Sequence, residues 1–239
     1  MFGWRSAARR PAQDEAEKPF WISFSDLMTA LMVLFLVAMA VALMAVTQGL
    51  NKIEAAKKDR EETIQSCMAD IQAVAARPEF KGVVVKEHSI EFGTLAEFDK
   101  NGHDLPPDRK RFLRSFVPLI LGVARHPSCD KWLKRVVVEG FASQEGSYLY
   151  NLNLSFFRSQ RVLCVLLDSK APDAPSQEDR KTIRTLFLAG GSSFNAVKKR
   201  PEESRRVELK LEFRELGRDK ESPPDIPWDE DSKCPSDGK

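Results

Sequence analysis

The chain has 239 residues, with 37 Lys and Arg against 35 Asp and Glu, three His and four Cys, so its formal net charge is only +2. No long-range basic field gathers nucleic acid, and direct nucleic-acid binding is set aside. At 30% charged and 42% hydrophobic the composition is globular, but the apolar residues are unevenly spread: residues 21–46 contain a single ionisable group, Asp26. A run that long and that apolar reads as a transmembrane helix and excludes a plain soluble enzyme.

Residues 1–19 are short, polar and broken by prolines, a leader without a core of its own. Residues 20–46 are expected to form the membrane helix. A signal peptide has an apolar region of about 7–15 residues, whereas this one runs about twenty past Asp26. At about 1.5 Å per residue, that stretch covers the roughly 30 Å hydrocarbon core, so an uncleaved anchor is the better reading. Charge counting leaves the orientation tied. Arg5, Arg9, Arg10 and Lys18 precede the span and Lys52, Lys57, Lys58 and Arg60 follow it.

Asp26 would sit about 9 Å into the membrane if the helix enters at Phe20. A carboxylate at the centre of a span costs on the order of 3 kcal/mol and usually faces a protein partner or a watery path. Occlusion favours its neutral form and wetting its ionised form, which is what an ion-driven machine requires. The competing reading is structural: Ser23, Ser25 and Asp26 are all good N-caps, and a helix starting after Asp26 still spans the bilayer.

Residues 47–79 read as a helical stalk closed by Arg77-Pro78. Leu50, Ile53, Ile64, Cys67, Ile71 and Val74 fall on three- and four-residue steps, with Lys57 and Arg60 in the intervening seam positions. This suggests either a parallel coiled coil of two identical chains or a solvated stalk packed on another subunit. In the coiled coil, Cys67 faces its own copy and a cross-chain disulfide is feasible.

Residues 80–217 alternate strand and helix patterns. Val83-Val84-Val85 and residues 89–92 read as short strands. Residues 108–125 have helical spacing that Pro118 should bend or shorten. Strand 135–141, helix 150–167, a short helix 177–189 and a period-two strand 206–213 follow. The fold class expected is a single N-terminal transmembrane helix and helical stalk joined to an α+β domain, helices on one face of a mixed sheet. Residues 218–239 form a Pro-rich acidic tail. Cys67, Cys129, Cys164 and Cys234 include no CxxC, which argues against structural zinc. Cys164 reads as buried and inert, and Cys129 with Cys234 could staple the tail to the domain. Neither a nucleophile–base set nor a phosphate loop appears, and His88, His103 and His126 are scattered, so no enzymatic activity, metal or cofactor is expected.

The run Phe20-Trp21-Ile22-Ser23-Phe24-Ser25-Asp26-Leu27-Met28-Thr29-Ala30-Leu31-Met32 resembles the membrane segment of MotB-type stator subunits. Its wording is closer to the ZorB branch, found in Zorya antiphage systems, than to the flagellar branch. The resemblance places the family's ion carrier on Asp26, with Ser25 and Thr29 as ion-path neighbours. Residues 140–147 (Gly-Phe-Ala-Ser-Gln-Glu-Gly-Ser) and 150–162 resemble the OmpA-like peptidoglycan-binding domain, as do Phe98-Asp99-Lys100 and Arg205-Arg206-Val207-Glu208. This implies wall contacts by Arg158, whose planar fork suits a stem carboxylate, and by Asn151, Ser143, Phe141 and Ala142. The family's Thr-Asp pair is Ala142-Ser143 here, so a negative partner is missing at its usual place, and Glu145 is the only nearby substitute. Weaker or altered wall binding is expected.

The implied whole is a peptidoglycan-anchored homodimer inside a ring of a multi-helix MotA-like (ZorA) subunit. It would sit in the bacterial inner membrane as a single-pass protein, N-terminus cytoplasmic and domain periplasmic. The ion is a proton by preference, with sodium as the alternative. A flagellar stator subunit and a passive wall anchor without ion transport are the rival readings.

Overall fold

The computed structural model describes residues 14–218 and Cys234, with side chains from Trp21 onward. The leader up to residue 13 and most of the expected tail lie outside the described residues. The chain divides into two units, Met1–Ala56 and Lys57–Lys239.

Helix α1 runs Asp14–Ala75. Within the first unit every side chain from Trp21 onward is exposed, including Leu31, Phe35 and Val46. A helix apolar on all sides and covered by nothing is suited to lipid rather than to water. It is long and apolar enough to cross a membrane.

In the second unit the end of α1 is part of the domain. Ile64, Cys67, Ile71, Val74 and Ala75 are buried, and all but Ile64 belong to the main core cluster. This corrects the coiled-coil expectation for the lower half of the seam, because those positions are already covered by their own chain. It also corrects the expectation for Cys67, which pairs with Cys129 of the same chain and not with its own copy (Cα–Cα 5.2 Å). Cys164 is likewise bridged, to Cys234 (Cα–Cα 5.6 Å), so the tail is stapled through Cys164 rather than through Cys129.

After a 3-10 turn at Pro78–Phe80 come β1 (Val84–Val85), β2 (Ser89–Glu91), a second 3-10 turn (Gly93–Ala96) and α2 (Pro107–Ala124). Then follow α3 (Pro127–Trp132), β3 (Leu133–Gly140), α4 (Tyr148–Leu167), α5 (Gln177–Leu186), β4 (Phe187–Gly191), α6 (Pro201–Ser204) and β5 (Val207–Phe213). The five strands form one mixed sheet in the order β1-β2-β5-β3-β4, with β3 and β4 parallel and the other pairs antiparallel. The expected α+β class is therefore correct. Leu133, Val136 and Val138 of β3 and Val207, Leu209 and Leu211 of β5 point into the core they share with α2, α4 and α5.

The alternate positions carry charge. Glu91, Glu208 and Glu139 lie side by side across β2, β5 and β3, a repulsive row unless cations intervene. Arg206 pairs with Glu208 at 2.6 Å, Lys198 with Glu91 at 2.9 Å, and Lys210 with Glu139. Burial alone would raise the Glu91 carboxyl, but hydrogen bonds from Lys86 and Lys198 hold it below its ordinary value.

Pro118 does not shorten α2. Burial of Phe116, Val117, Ile120 and Leu121 on either side of it outweighs one lost backbone bond. The helix expected over 177–189 stops at Leu186, because Phe187 and the residues after it complete the sheet as β4 beside β3.

The seat of α4 depends on glycine. A Cβ at Gly140, the last residue of β3, would lie 1.9 Å from the Ser155 carbonyl oxygen, and one at Gly191 would lie 2.8 Å from the Phe156 nitrogen. Helix α4 thus rests with its backbone against the ends of two strands. Gly140→Ala is expected to destabilise the protein by about 3 kcal/mol, as overpacking against rigid backbone does. At an ordinary extended position the same change is neutral or slightly stabilising, so thermal unfolding of the solubilised protein reads the sign directly.

Candidate functional site

Asp26 lies about 18 Å along α1 from the helix start at Asp14, at 1.5 Å per residue. It is more than three turns inside the helix and caps nothing, which removes the N-cap reading. Its backbone carbonyl accepts a hydrogen bond from the Thr29 hydroxyl at 2.8 Å. Among the described residues no side chain bonds its carboxylate. Thr29, three positions on, shares the Asp26 face, whereas Ser25 is turned about 100° away round the helix. Trp21 and Phe24 meet edge to face one turn earlier, ring centroids 6.4 Å apart.

The second site is built by α4 and two loops. Ser147 caps α4, its hydroxyl accepting from the Tyr150 N–H. Arg158, near the middle of the helix, is 0% exposed. Its Nε donates to the Gly102 carbonyl at 2.9 Å, Nη1 to Phe141 at 2.8 Å and Nη2 to Asp99 at 3.1 Å. The guanidinium also lies over the Phe98 ring, 5.3 Å from its centroid. It is therefore no helix-surface arginine but the pin that ties loop 98–102 and loop 141–147 to α4. Among the described residues no carboxylate pairs with it. Burial, with the charge of Arg205 adding to it, pushes the guanidinium down to about 10, so it remains charged at neutral pH.

The structure brings the other expected wall-contact residues to the same place. Phe141, Ala142, Ser143 and Asn151 are all buried. Phe141 N donates to Arg206 O at 2.9 Å and Ala142 N to Ser193 O at 2.8 Å, fixing the loop at its start. Asn151 Nδ2 donates to Glu145 O at 2.7 Å and Ser147 O at 3.1 Å, so its amide hydrogens shape the loop. Glu145 is engaged with Lys100 at 2.8 Å, a pair that bridges the two loops. Sequence reasoning misses the Asp99 and Gly102 carbonyls as partners of Arg158 and Lys100 as the partner of Glu145; the Phe98-Asp99-Lys100 run is the signal that points to this loop. A cleft of about 1170 Å³ lies elsewhere, lined by Arg60, His88, Arg125 and Arg214 among others, and none of the residues expected to contact the wall borders it.

The long apolar helix with its single acid at Asp26 and the α+β domain that follows it define a MotB-like membrane protein. Residues 5–49 match the family described as "Membrane MotB of proton-channel complex MotA/MotB". Zorya protein ZorB of Escherichia coli O139:H28 (strain E24377A / ETEC) is 45% identical over 233 residues, 95% of this chain and 94% of that one. The chain belongs to the ZorB family. Among solved structures, a putative MotB-like protein from Desulfovibrio vulgaris is 17% identical, covers 66% of this chain and 96% of its own, and has a TM-score of 0.40. The periplasmic domain of Helicobacter pylori MotB is 13% identical, covers 55% and 80% respectively, and has a TM-score of 0.37.

Proposed function

We propose that this chain is the ion-conducting, peptidoglycan-anchored stator subunit of an inner-membrane motor that serves antiphage defence, working with a MotA-like, ZorA-type partner. The observation that carries the reading is the position of Asp26. It is a lone acid well inside an apolar helix, with no capping duty and no side-chain partner of its own among the described residues. Such a group needs a second protein to shield it, and a shielded acid can take up and release a proton as its access to water changes. Each charge moved through the membrane yields about 2.3 kcal/mol per 100 mV, the energy available to turn a ring of partner subunits.

Orientation, tied on charge counting, is supported by the cysteines. Two intrachain disulfides in the second unit suit an oxidising compartment, hence a periplasmic domain and a cytoplasmic leader. Anchoring is supported by Arg158, a buried cation without a counter-charge among the described residues, which an incoming wall carboxylate would supply. The exposed upper seam, Leu50 and Ile53, suits pairing of two copies next to the membrane.

The test is reconstitution. The chain is co-expressed with its multi-helix partner, and the complex is placed in vesicles holding a pH-sensitive dye. An imposed potential is expected to drive proton entry. Flux that follows sodium instead makes sodium the ion, and a complex without flux of either leaves only a tether.

A further inference from the structure

We infer that the Arg158 pocket selects a wall-peptide carboxylate whose neighbouring amine has been acylated, so that it takes cross-linked stems in preference to stems with a free ammonium. The inference rests on the wall-binding reading above and adds the class of ligand.

The charges and free donors around Arg158 set the preference. The Arg158 guanidinium has five N–H groups, and three are given to the carbonyls of Gly102, Phe141 and Asp99. One N–H is left on each terminal nitrogen, the pair that a carboxylate accepts side by side. Among the described residues no carboxylate is bonded to the guanidinium, whose partners are all carbonyls. Asp99 offers its carbonyl while its side chain is exposed. Ser143, two residues beyond the Phe141 carbonyl, is 7% exposed, and among the described residues its hydroxyl has no hydrogen-bond partner. Glu145, the acid of that loop, is held by Lys100 at 2.8 Å. Arg205 lies near enough for its charge to act on Arg158, and its Nε donates to the Phe98 carbonyl at 3.1 Å.

An ammonium brought beside Arg158 would therefore be desolvated next to a like charge, with the Ser143 hydroxyl rather than a carboxylate two residues from the carbonyl that holds the guanidinium. An amide at the same place is neutral, and its N–H can donate to Ser143 Oγ. In a wall peptide the side-chain amine of the diamino acid is an ammonium when free and an amide when cross-linked, whereas its carboxylate is present in both. The pocket separates the two by what it lacks.

The experiment uses the full chain in complex with its partner in detergent, titrated by calorimetry with two probes. One is a stem tripeptide ending in diaminopimelate with its side-chain amine free, and the other is the same peptide with that amine acetylated. The acetylated peptide is expected to bind about tenfold more tightly or better. Ser143→Asp, which places an acid in the loop, is expected to reverse the order. Equal binding, or tighter binding of the free amine by the unaltered protein, overturns the inference and leaves wall binding standing. Binding of neither peptide overturns the wall-binding reading with it. An unchanged order in a folded Ser143→Asp protein likewise overturns the inference, because the selectivity is argued from the acid that this loop lacks. The comparison on the unaltered protein decides the question even if that variant does not fold.

Discussion

The Asp26→Asn variant is expected to lose proton flux and phage protection entirely while still inserting in the membrane and binding its partner. Asn matches Asp in size and is neutral, so the helix enters lipid at lower cost than with a carboxylate. It cannot alternate between charged and uncharged forms, and that alternation is the only property the exchange removes. The position makes the test clean. Asp26 is more than three turns inside α1 and supports no cap, and its one described bond, from the Thr29 hydroxyl, is to its backbone carbonyl, which Asn keeps. Asp26→Glu retains the acid one methylene further out and is expected to keep part of the flux. Dye-reported proton entry and the plating efficiency of phage on cells carrying each variant read the two effects. If the helix were only a tether, Asn would protect as well as Asp.

The architecture was legible wherever a periodic pattern was long. Residues 21–46 carry one ionisable group, Asp26, and β5 alternates apolar and charged residues over its seven positions, so spacing alone reports both. Element ends set by tertiary contact were not legible. Phe187–Gly191 continues the pattern of α5 and becomes a strand only because β3 offers it a parallel neighbour. Pro118 reads as a helix breaker, yet α2 passes through it because its apolar face is held on both sides. The stalk shows the limit of periodicity most clearly. Ile64, Cys67, Ile71 and Val74 keep the spacing of a seam, and spacing states that a face is covered without stating by what. Their cover is their own domain. For the site, the motif residues marked the right loop and helix. The carbonyls that hold Arg158, and the Lys100 that occupies Glu145, are long-range pairings that no local pattern reports.

Removing the Cys67–Cys129 bridge by the double change to Ala is expected to cost about 4 kcal/mol, the loop-closure entropy of a closed segment of this length. The two cysteines are 62 residues apart in sequence, and both are fully buried. Ala is the appropriate replacement, since a serine hydroxyl at either place would add an unsatisfied polar group. For a protein of this size the loss corresponds to a fall in Tm of about 10 °C, read by thermal unfolding of the solubilised protein. A reducing agent should reproduce the shift in the unaltered protein and leave the variant unmoved, apart from the part due to Cys164–Cys234. On a non-reducing gel the chain should run as a monomer, because Cys67 is spent within its own chain; a covalent dimer through Cys67 would contradict the pairing. The larger consequence concerns force. The wall-anchored, motor-coupled subunit proposed above would feel tension along α1, and without the bridge the packing of Ile64, Ile71 and Val74, the Arg60 bond to the Arg214 carbonyl at 2.8 Å and the exposed Lys131–Asp59 pair are left to resist peeling of the helix from the core. Apolar contacts release one turn at a time, whereas a covalent link to α3 carries the pull directly into the segment leading to β3. The variant should therefore show protease cleavage near the end of α1 well below its melting temperature, at temperatures where the bridged protein is untouched.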